Sequence, residues 1–226
     1  MVILSQISKK FSCVGLTQAS ILLLLLFIVY QLKFISNNIY DAGAFLVILF
    51  QIFMPINIIN NKKESLENYN LHAYNLEFLT NIKYKKIIKD FLITIFIAII
   101  IFIPYIFFYL KFNSNFRFSL TIPESWPLEI ITQIFVVAMP EEIFYRGFLQ
   151  NSLKKKYSLI NSILITNLFF ALSHFVGGFN PLRLLTFFPG LVFSFLSYKT
   201  KSVLAPIIFH ALCNLLGQIL WYSLKP

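Results

Sequence analysis

The chain has 226 residues, of which 58% are hydrophobic and only 12% are charged, and its mean hydropathy is +0.76. A soluble domain of this length cannot bury so much apolar surface, which excludes an ordinary soluble protein and makes the lipid bilayer the expected surroundings. The formal net charge of +10 would fit a nucleic-acid partner, but the 19 Lys and Arg residues are spread between apolar runs and form no patch. We therefore predict an integral membrane protein that binds no nucleic acid.

In chain order, seven apolar stretches are long enough to cross a bilayer as helices. They cover about residues 14–32, 40–59, 91–110, 128–152, 159–180, 183–198 and 202–224, of which the sixth is the shortest. The first is expected to be a retained helix and not a cleaved signal, because no small-residue cleavage site closes it. Most stretches are too long for barrel strands, so the sequence predicts an all-α, polytopic transmembrane helix bundle with about seven spans.

The positive charges lie unevenly on the two sides of such a bundle. Thirteen belong to the N-terminal segment, the 60–90 loop, and the segments after the fourth and before the last span: Lys9, Lys10, Lys62, Lys63, Lys83, Lys85, Lys86, Lys89, Lys154, Lys155, Lys156, Lys199 and Lys201. The other side holds five: Lys33, Lys111, Arg117, Arg183 and Lys225. Because cytoplasmic loops carry the excess of Lys and Arg, we predict a cytoplasmic N-terminus, a cytoplasmic Lys-rich loop and an external C-terminus.

Five ionisable side chains lie well inside the predicted spans: Glu141, Glu142, Arg146, His174 and His210. A charge at the centre of a membrane helix costs about 2.5–3.5 kcal/mol on insertion scales, so such groups are usually paired and functional. At about 1.5 Å of rise per residue, Glu141, His174, His210 and also Asn214 come near mid-bilayer on three helices. We expect these four side chains to meet in one cavity.

Helical spacing assigns faces to these residues. Three pairs are separated by four positions and therefore share a face: Phe170 with His174, His210 with Asn214, and Glu142 with Arg146. Glu141 is rotated by about 100° from its neighbour Glu142 and must face elsewhere. Pro140 removes a backbone hydrogen bond just where the two carboxylates begin. The helix is thus predicted to be locally weak at the carboxylates.

The order of these motifs resembles a known signature. Glu141-Glu142-x-x-x-Arg146, Phe170-x-x-x-His174 and His210-x-x-x-Asn214, in that order on the fourth, fifth and seventh predicted spans, are similar to the three motifs of the CAAX-protease and bacteriocin-processing (Abi, CPBP) family of intramembrane endopeptidases. The resemblance covers about residues 125–224, the expected catalytic core of a single membrane domain whose residues 1–124 supply the N-terminal spans and the Lys-rich loop. The run from Pro140 to Gln150 is also similar to the bacterial myxosortase branch.

The resemblance implies an enzyme that cuts a peptide bond near the C-terminus of a membrane-associated protein, either prenylated or ending in a helix. It implies a multi-pass protein of a bacterial-type cell membrane. Peptide hydrolysis needs an activated water, oxyanion donors and a proton for the leaving amine. Glu141 suits the general base, His174 positions the water with it, and His210 and Asn214 offer oxyanion donors; the resemblance implies the same glutamate-dependent allocation. Glu142 and Arg146 are expected to form a supporting ion pair, and Phe170 to orient His174.

Two alternatives remain open. A catalytic zinc could be held by Glu141, His174 and His210 with an open water position, and the similar family was long described as metalloproteases, although no H-E-x-x-H is present and Asn214 is a poor zinc ligand. Otherwise no cofactor is expected. Buried Glu and His could instead serve a proton-coupled transporter or an immunity protein. Transporters usually show matching halves, whereas here the polar groups all lie in the second half of the chain.

Overall fold

A computed structural model describes residues 2–61, 74–79, 83–115, 117–122 and 124–225. Much of the Lys-rich loop, including Lys62 and Lys63, lies outside the described residues. The described part of the chain folds into seven helices: α1 (Val2–Leu32), α2 (Asn37–Asn61), α3 (Tyr84–Phe112), α4 (residues 126–153, in five consecutive pieces), α5 (Leu159–Val176), α6 (Phe187–Thr200) and α7 (Leu204–Ser223). Two 3-10 turns, Glu77–Leu79 and Pro181–Thr186, and two short strands, β1 (Arg117–Phe118) and β2 (Leu224–Lys225), complete these elements.

The helices confirm the predicted all-α polytopic bundle. Within the described residues, six of them are long and apolar enough to cross a membrane: Val14–Leu32, Asn37–Asn60, Tyr84–Phe112, Leu159–Val176, Pro181–Thr200 and Leu204–Ser223. The remaining predicted span, 128–152, corresponds to α4, which is not one unbroken α-helix. The span predicted over 159–180 ends earlier, at Val176, where Gly177 forms the C-cap of α5. The chain is thus a multi-pass membrane protein.

Helix α4 is the central element of the bundle. Every residue from Glu142 to Leu153 is buried, and the helix contacts α1, α2, α5, α6 and α7. A helical stretch that is covered on all sides belongs in the core and not at the lipid surface, whereas the first half of α4 keeps exposed side chains such as Phe135. Its aromatic side chains, among them Phe144, pack with Phe170 of α5, Phe193 of α6 and Phe209 of α7. The carboxylates of α4 are therefore held in the middle of the molecule.

The loops gather at two opposite ends of the bundle. At one end, Lys86 Nζ donates to the Lys201 carbonyl oxygen at 3.0 Å, and Lys155 Nζ donates to the Tyr74 hydroxyl at 2.9 Å. At the other end, β1 after α3 pairs antiparallel with β2 after α7. The segments that follow α3 and α7 therefore share one end, while the lysine-bearing segments after α4 and α6 share the other.

Candidate active site

The carboxylates lie on a single turn between two irregular stretches of α4. Thr132–Ala138 and Ile143–Leu149 are π-helical, and only Met139–Glu142 between them is α-helical. Pro140 lies in this turn, where its missing N–H cannot continue the helical hydrogen-bond ladder. Wide turns of this kind occur frequently at functional sites. The helix is thus irregular on both sides of the turn that holds Glu141 and Glu142.

Glu141 faces two histidines from different helices. Its Oε2 atom lies 3.9 Å from Nε2 of His174 on α5 and 3.9 Å from Nε2 of His210 on α7. The His174 Nδ1 atom is 3.0 Å from the Phe170 carbonyl oxygen, and the His210 Nδ1 atom is 2.9 Å from Glu142 Oε1. A carbonyl or carboxylate oxygen accepts, so both Nδ1 atoms carry the hydrogen. Both Nε2 atoms are thereby turned towards Glu141.

The neighbouring carboxylate has a different environment. Glu142 is fully buried and accepts from Arg146 Nη1 at 3.0 Å, so the expected ion pair is present. Arg146 also donates to Asn167 Oδ1 at 2.9 Å and to the Gly190 carbonyl oxygen at 3.1 Å, and its guanidinium stacks over the Phe170 ring at 4.3 Å. Since Glu142 also holds His210 Nδ1, this pair both ties α4 to α5 and α6 and orients a histidine.

Asn167 is a supporting residue that the sequence reasoning missed. It is buried on α5, accepts from Arg146, and donates to Ser194 Oγ of α6 at 2.9 Å. It lies three positions before Phe170 and seven before His174, a spacing that puts all three on one helix face. The spacing of this amide from His174, along one face of an apolar span, is the signal that would have found it.

A cavity of about 370 Å³ reaches Glu141 and His174 between α1, α2, α4 and α5. Its lining is mainly apolar, with Gln51, Ser173 and Arg183 as further polar contributors. The Glu141 and His174 side chains are 21% and 27% exposed, whereas His210 is 4% exposed and lies behind the carboxylate. Glu141 is thus accessible from the cavity on one side and covered by His210 on the other.

Asn214 does not share this cavity, contrary to the expectation from its depth. It lies one turn beyond His210 on α7 and lines a separate pocket of about 490 Å³ with Gln133 and Gln218. Its Nδ2 atom donates to Gln133 Oε1 of α4 at 2.8 Å, and both glutamines donate to Glu129 Oε1. Polar residues commonly link membrane helices in this way. The structure therefore brings three of the four predicted catalytic side chains together at Glu141.

A zinc ion held by Glu141, His174 and His210 would require a particular separation between their donor atoms. Tetrahedral zinc takes N and O ligands at about 2.0–2.2 Å, which separates two donor atoms by roughly 3.3–3.6 Å. Glu141 Oε2 is 3.9 Å from each histidine Nε2, and the described residues contain no group of three or more His, Cys, Asp and Glu side chains placed to hold a metal ion. The two distances exceed the ideal separation by about 0.3–0.6 Å, which small side-chain rotations would close, so zinc stays an alternative prediction.

One comparison with known proteins covers the segment of the chain that contains these residues. Residues 123–216 match the family model described as type II CAAX prenyl endopeptidase Rce1-like. No curated protein and no solved structure matches the chain. The matched segment contains all three motifs and the three side chains that meet at Glu141, but it does not single out the myxosortase branch. Residues 123–216, a little less than half of the chain, are thus similar to the CAAX endopeptidase family of membrane proteases.

Proposed function

We propose that the protein is an intramembrane endopeptidase that hydrolyses a peptide bond near the C-terminus of a membrane-associated protein, using water activated by Glu141 and no metal. The observation that carries this proposal is the convergence of Glu141 with Nε2 of both His174 and His210 at 3.9 Å, where the cavity meets the core. We also propose a bacterial-type cell membrane as its location, on the resemblance of the three motifs.

The catalytic sequence begins with a peptide extended along the cavity. Glu141 takes a proton from water as the water oxygen bonds to the scissile carbonyl carbon. The second hydrogen stays on that oxygen and donates a hydrogen bond to His174 Nε2. The distance of 3.9 Å from Glu141 Oε2 to each Nε2 is too long for a direct hydrogen bond. Both histidines thus keep their bonding capacity for reacting atoms.

The tetrahedral intermediate then needs donors for its oxyanion. Because His210 Nδ1 already donates to Glu142, Nε2 donates to the oxyanion only if His210 enters the cycle as the imidazolium. It keeps that proton throughout, while the proton from water passes through Glu141 to the leaving amine. Asn214 is the second proposed donor, and rotation of its amide away from Gln133 is required first. Collapse of the intermediate breaks the C–N bond as Glu141 returns its proton to the leaving amine.

The experiment that tests this function is a comparison of membrane-protein C-termini by mass spectrometry between cells that carry the wild-type protein and cells that carry Glu141→Ala. We expect a set of shortened C-termini that disappears in the variant. Glu124→Ala is the matched control, because Glu124 is an exposed carboxylate outside the cavity. Identical C-termini in all three strains, together with a proton gradient that depends on Glu141, would instead indicate transport.

A further inference from the structure

We propose that Arg183 binds the free α-carboxylate of the substrate at the mouth of the cavity and thereby selects peptide ends. The inference rests on the proposed function, because it assigns to that site the part of the substrate that lies beyond the cleaved bond. Arg183 belongs to the 3-10 turn Pro181–Thr186 between α5 and α6. In the charge pattern of the sequence, Arg183 is one of the five cations on the side opposite the Lys-rich loop.

Arg183 and Glu141 line the same cavity from different depths. The Arg183 Nη1 atom lies 3.4 Å from the Gly177 carbonyl oxygen, and Gly177 follows His174 by three residues at the end of α5. At about 1.5 Å of rise per residue, the guanidinium therefore lies roughly one helical turn nearer to the end of the bundle than the histidine. An extended peptide advances about 3.3–3.6 Å per residue, so a group held by Arg183 is only a few residues from the scissile bond.

The charge of the cavity favours an anion at this position. Arg183 is the single Lys or Arg among the residues described as lining it, and none of the ion pairs found in the described part of the chain includes its guanidinium. Glu141 at the inner end would repel a second carboxylate unless a cation compensates it. A guanidinium also offers two parallel N–H donors that match a carboxylate.

The turn that carries Arg183 is built to hold the side chain at the mouth. Gly178 leaves room for it, since a Cβ atom there would lie 2.5 Å from Arg183 Nη1. Phe179 adopts a left-handed backbone with φ of 47°, a strained conformation for a bulky residue, and its ring lies 5.1 Å from that of Tyr30. Asn180 then caps the 3-10 turn through the Leu182 N–H at 3.0 Å. The missing side chain at Gly178 thus leaves space for the guanidinium, and the backbone of Phe179 and Asn180 shapes the turn that carries Arg183.

The test uses a library of short quenched fluorescent peptides with apolar randomised ends, each prepared as the free acid and as the C-terminal amide. We expect the wild-type protein in liposomes to cleave the acids with a kcat/KM about tenfold or more above that of the amides, the scale of a charge-assisted hydrogen bond. Arg183→Gln should reduce this ratio to near one, mainly through KM, and Arg183→Lys should keep part of it, because the charge remains without the fork.

The matched control is Arg117→Gln, which removes an exposed arginine of β1 that does not line the cavity and should keep the full ratio. Binding of the same peptides to the Glu141→Gln protein separates the two proposals, because it requires no hydrolysis. Preference for acids that depends on Arg183 in this assay supports the carboxylate site even if no peptide is cleaved. Equal binding of acids and amides overturns it, even where cleavage depends on Glu141. A loss in Arg183→Gln that affects acids and amides alike, and only in vesicles of anionic lipid, also overturns it by indicating a lipid phosphate ligand.

Discussion

At the scale of single residues, the two adjacent carboxylates illustrate how environment divides chemical roles. Glu141 is 21% exposed and faces the cavity, whereas Glu142 is fully buried between Arg146 and His210. Successive residues on a helix point in directions about 100° apart, so neighbours in sequence enter different surroundings. A carboxylate that is accessible suits proton transfer, and one that is buried and paired suits orientation.

Replacing Glu141 by Gln should nearly abolish hydrolysis while keeping the shape of the site. We expect kcat to fall by about 10²–10⁴-fold, the usual cost of losing a general base, with little change in KM. Steady-state cleavage of a substrate peptide measures both constants, and Glu124→Gln is the control. Prolonged chelation should leave the wild type active. Stoichiometric zinc that copurifies, is lost in His174→Ala and restores a chelated sample would contradict the metal-free mechanism.

Asn214→Ala should lower kcat by about 10²–10³-fold, the scale of one oxyanion donor. Gln133→Ala should cost much less, because Gln133 accepts from the Asn214 amide at 2.8 Å in the free protein and is not a proposed oxyanion donor. The two variants form a matched pair, since each breaks the same interhelical hydrogen bond. Equal losses of kcat in the two variants would show that Asn214 acts by linking α4 to α7 and not by donating to the oxyanion.

Breaking the buried ion pair should act on stability. Arg146→Gln leaves Glu142 without its guanidinium, and removing one partner of a buried pair costs about 3–5 kcal/mol. We expect less folded protein and a lower free energy of unfolding, measured by denaturant titration in detergent. The double variant Glu142→Gln/Arg146→Gln should recover part of the loss, because neither charge is then stranded. Losses that simply add would argue against the pair.

At the scale of helices, hydropathy predicted the spans and the depth of the site, but not every contact. Glu141, His174 and His210 meet as expected, because depth depends mainly on the number of residues from a helix end. Facing direction depends on the turn, and the π-helical Thr132–Ala138 departs from the 3.6-residue period that the sequence analysis used. This explains why Gln133, the partner of Asn214, was not found.

The close approach of α6 to α4 and α5 depends on Gly190. A Cβ atom there would overlap Asn167 Oδ1 and lie 3.1 Å from Arg146 Nη2, so Gly190→Ala should displace buried polar groups from their hydrogen bonds. We expect a destabilisation of about 1–3 kcal/mol in the same denaturant titration. Gly217→Ala on α7 is the control, since nothing lies within 4 Å of its added methyl group. Equal stability of the two variants would disprove the packing argument.

For the whole molecule, the pairing of loops at the two ends restricts how the chain crosses the membrane. The segments after α3 and α7 are joined through β1 and β2, and those after α4 and α6 lie at the opposite end with Tyr74 and Lys86. Since β1 and β2 lie on one side, this arrangement requires an even number of crossings between them, which α4 to α7 supply. The end of the bundle that carries the excess of lysines is then expected to face the cytoplasm.

The orientation itself is the last prediction. Alkaline phosphatase, which is active only outside the cytoplasm, should be active when fused after Ser119 or after Pro226, and inactive when fused after Lys155. The reason is that the Ser119 N–H donates to the Ser223 carbonyl oxygen at 2.8 Å, which fixes these two segments on one side, whereas Lys155 lies among the lysines of the other. A fluorescent protein that matures only in the cytoplasm should give the reverse pattern at the same three sites. Activity that reverses at all three sites would overturn the lysine rule for this chain but keep the fold, whereas disagreement between Ser119 and Pro226 would mean that α4 to α7 do not cross the membrane as four separate spans.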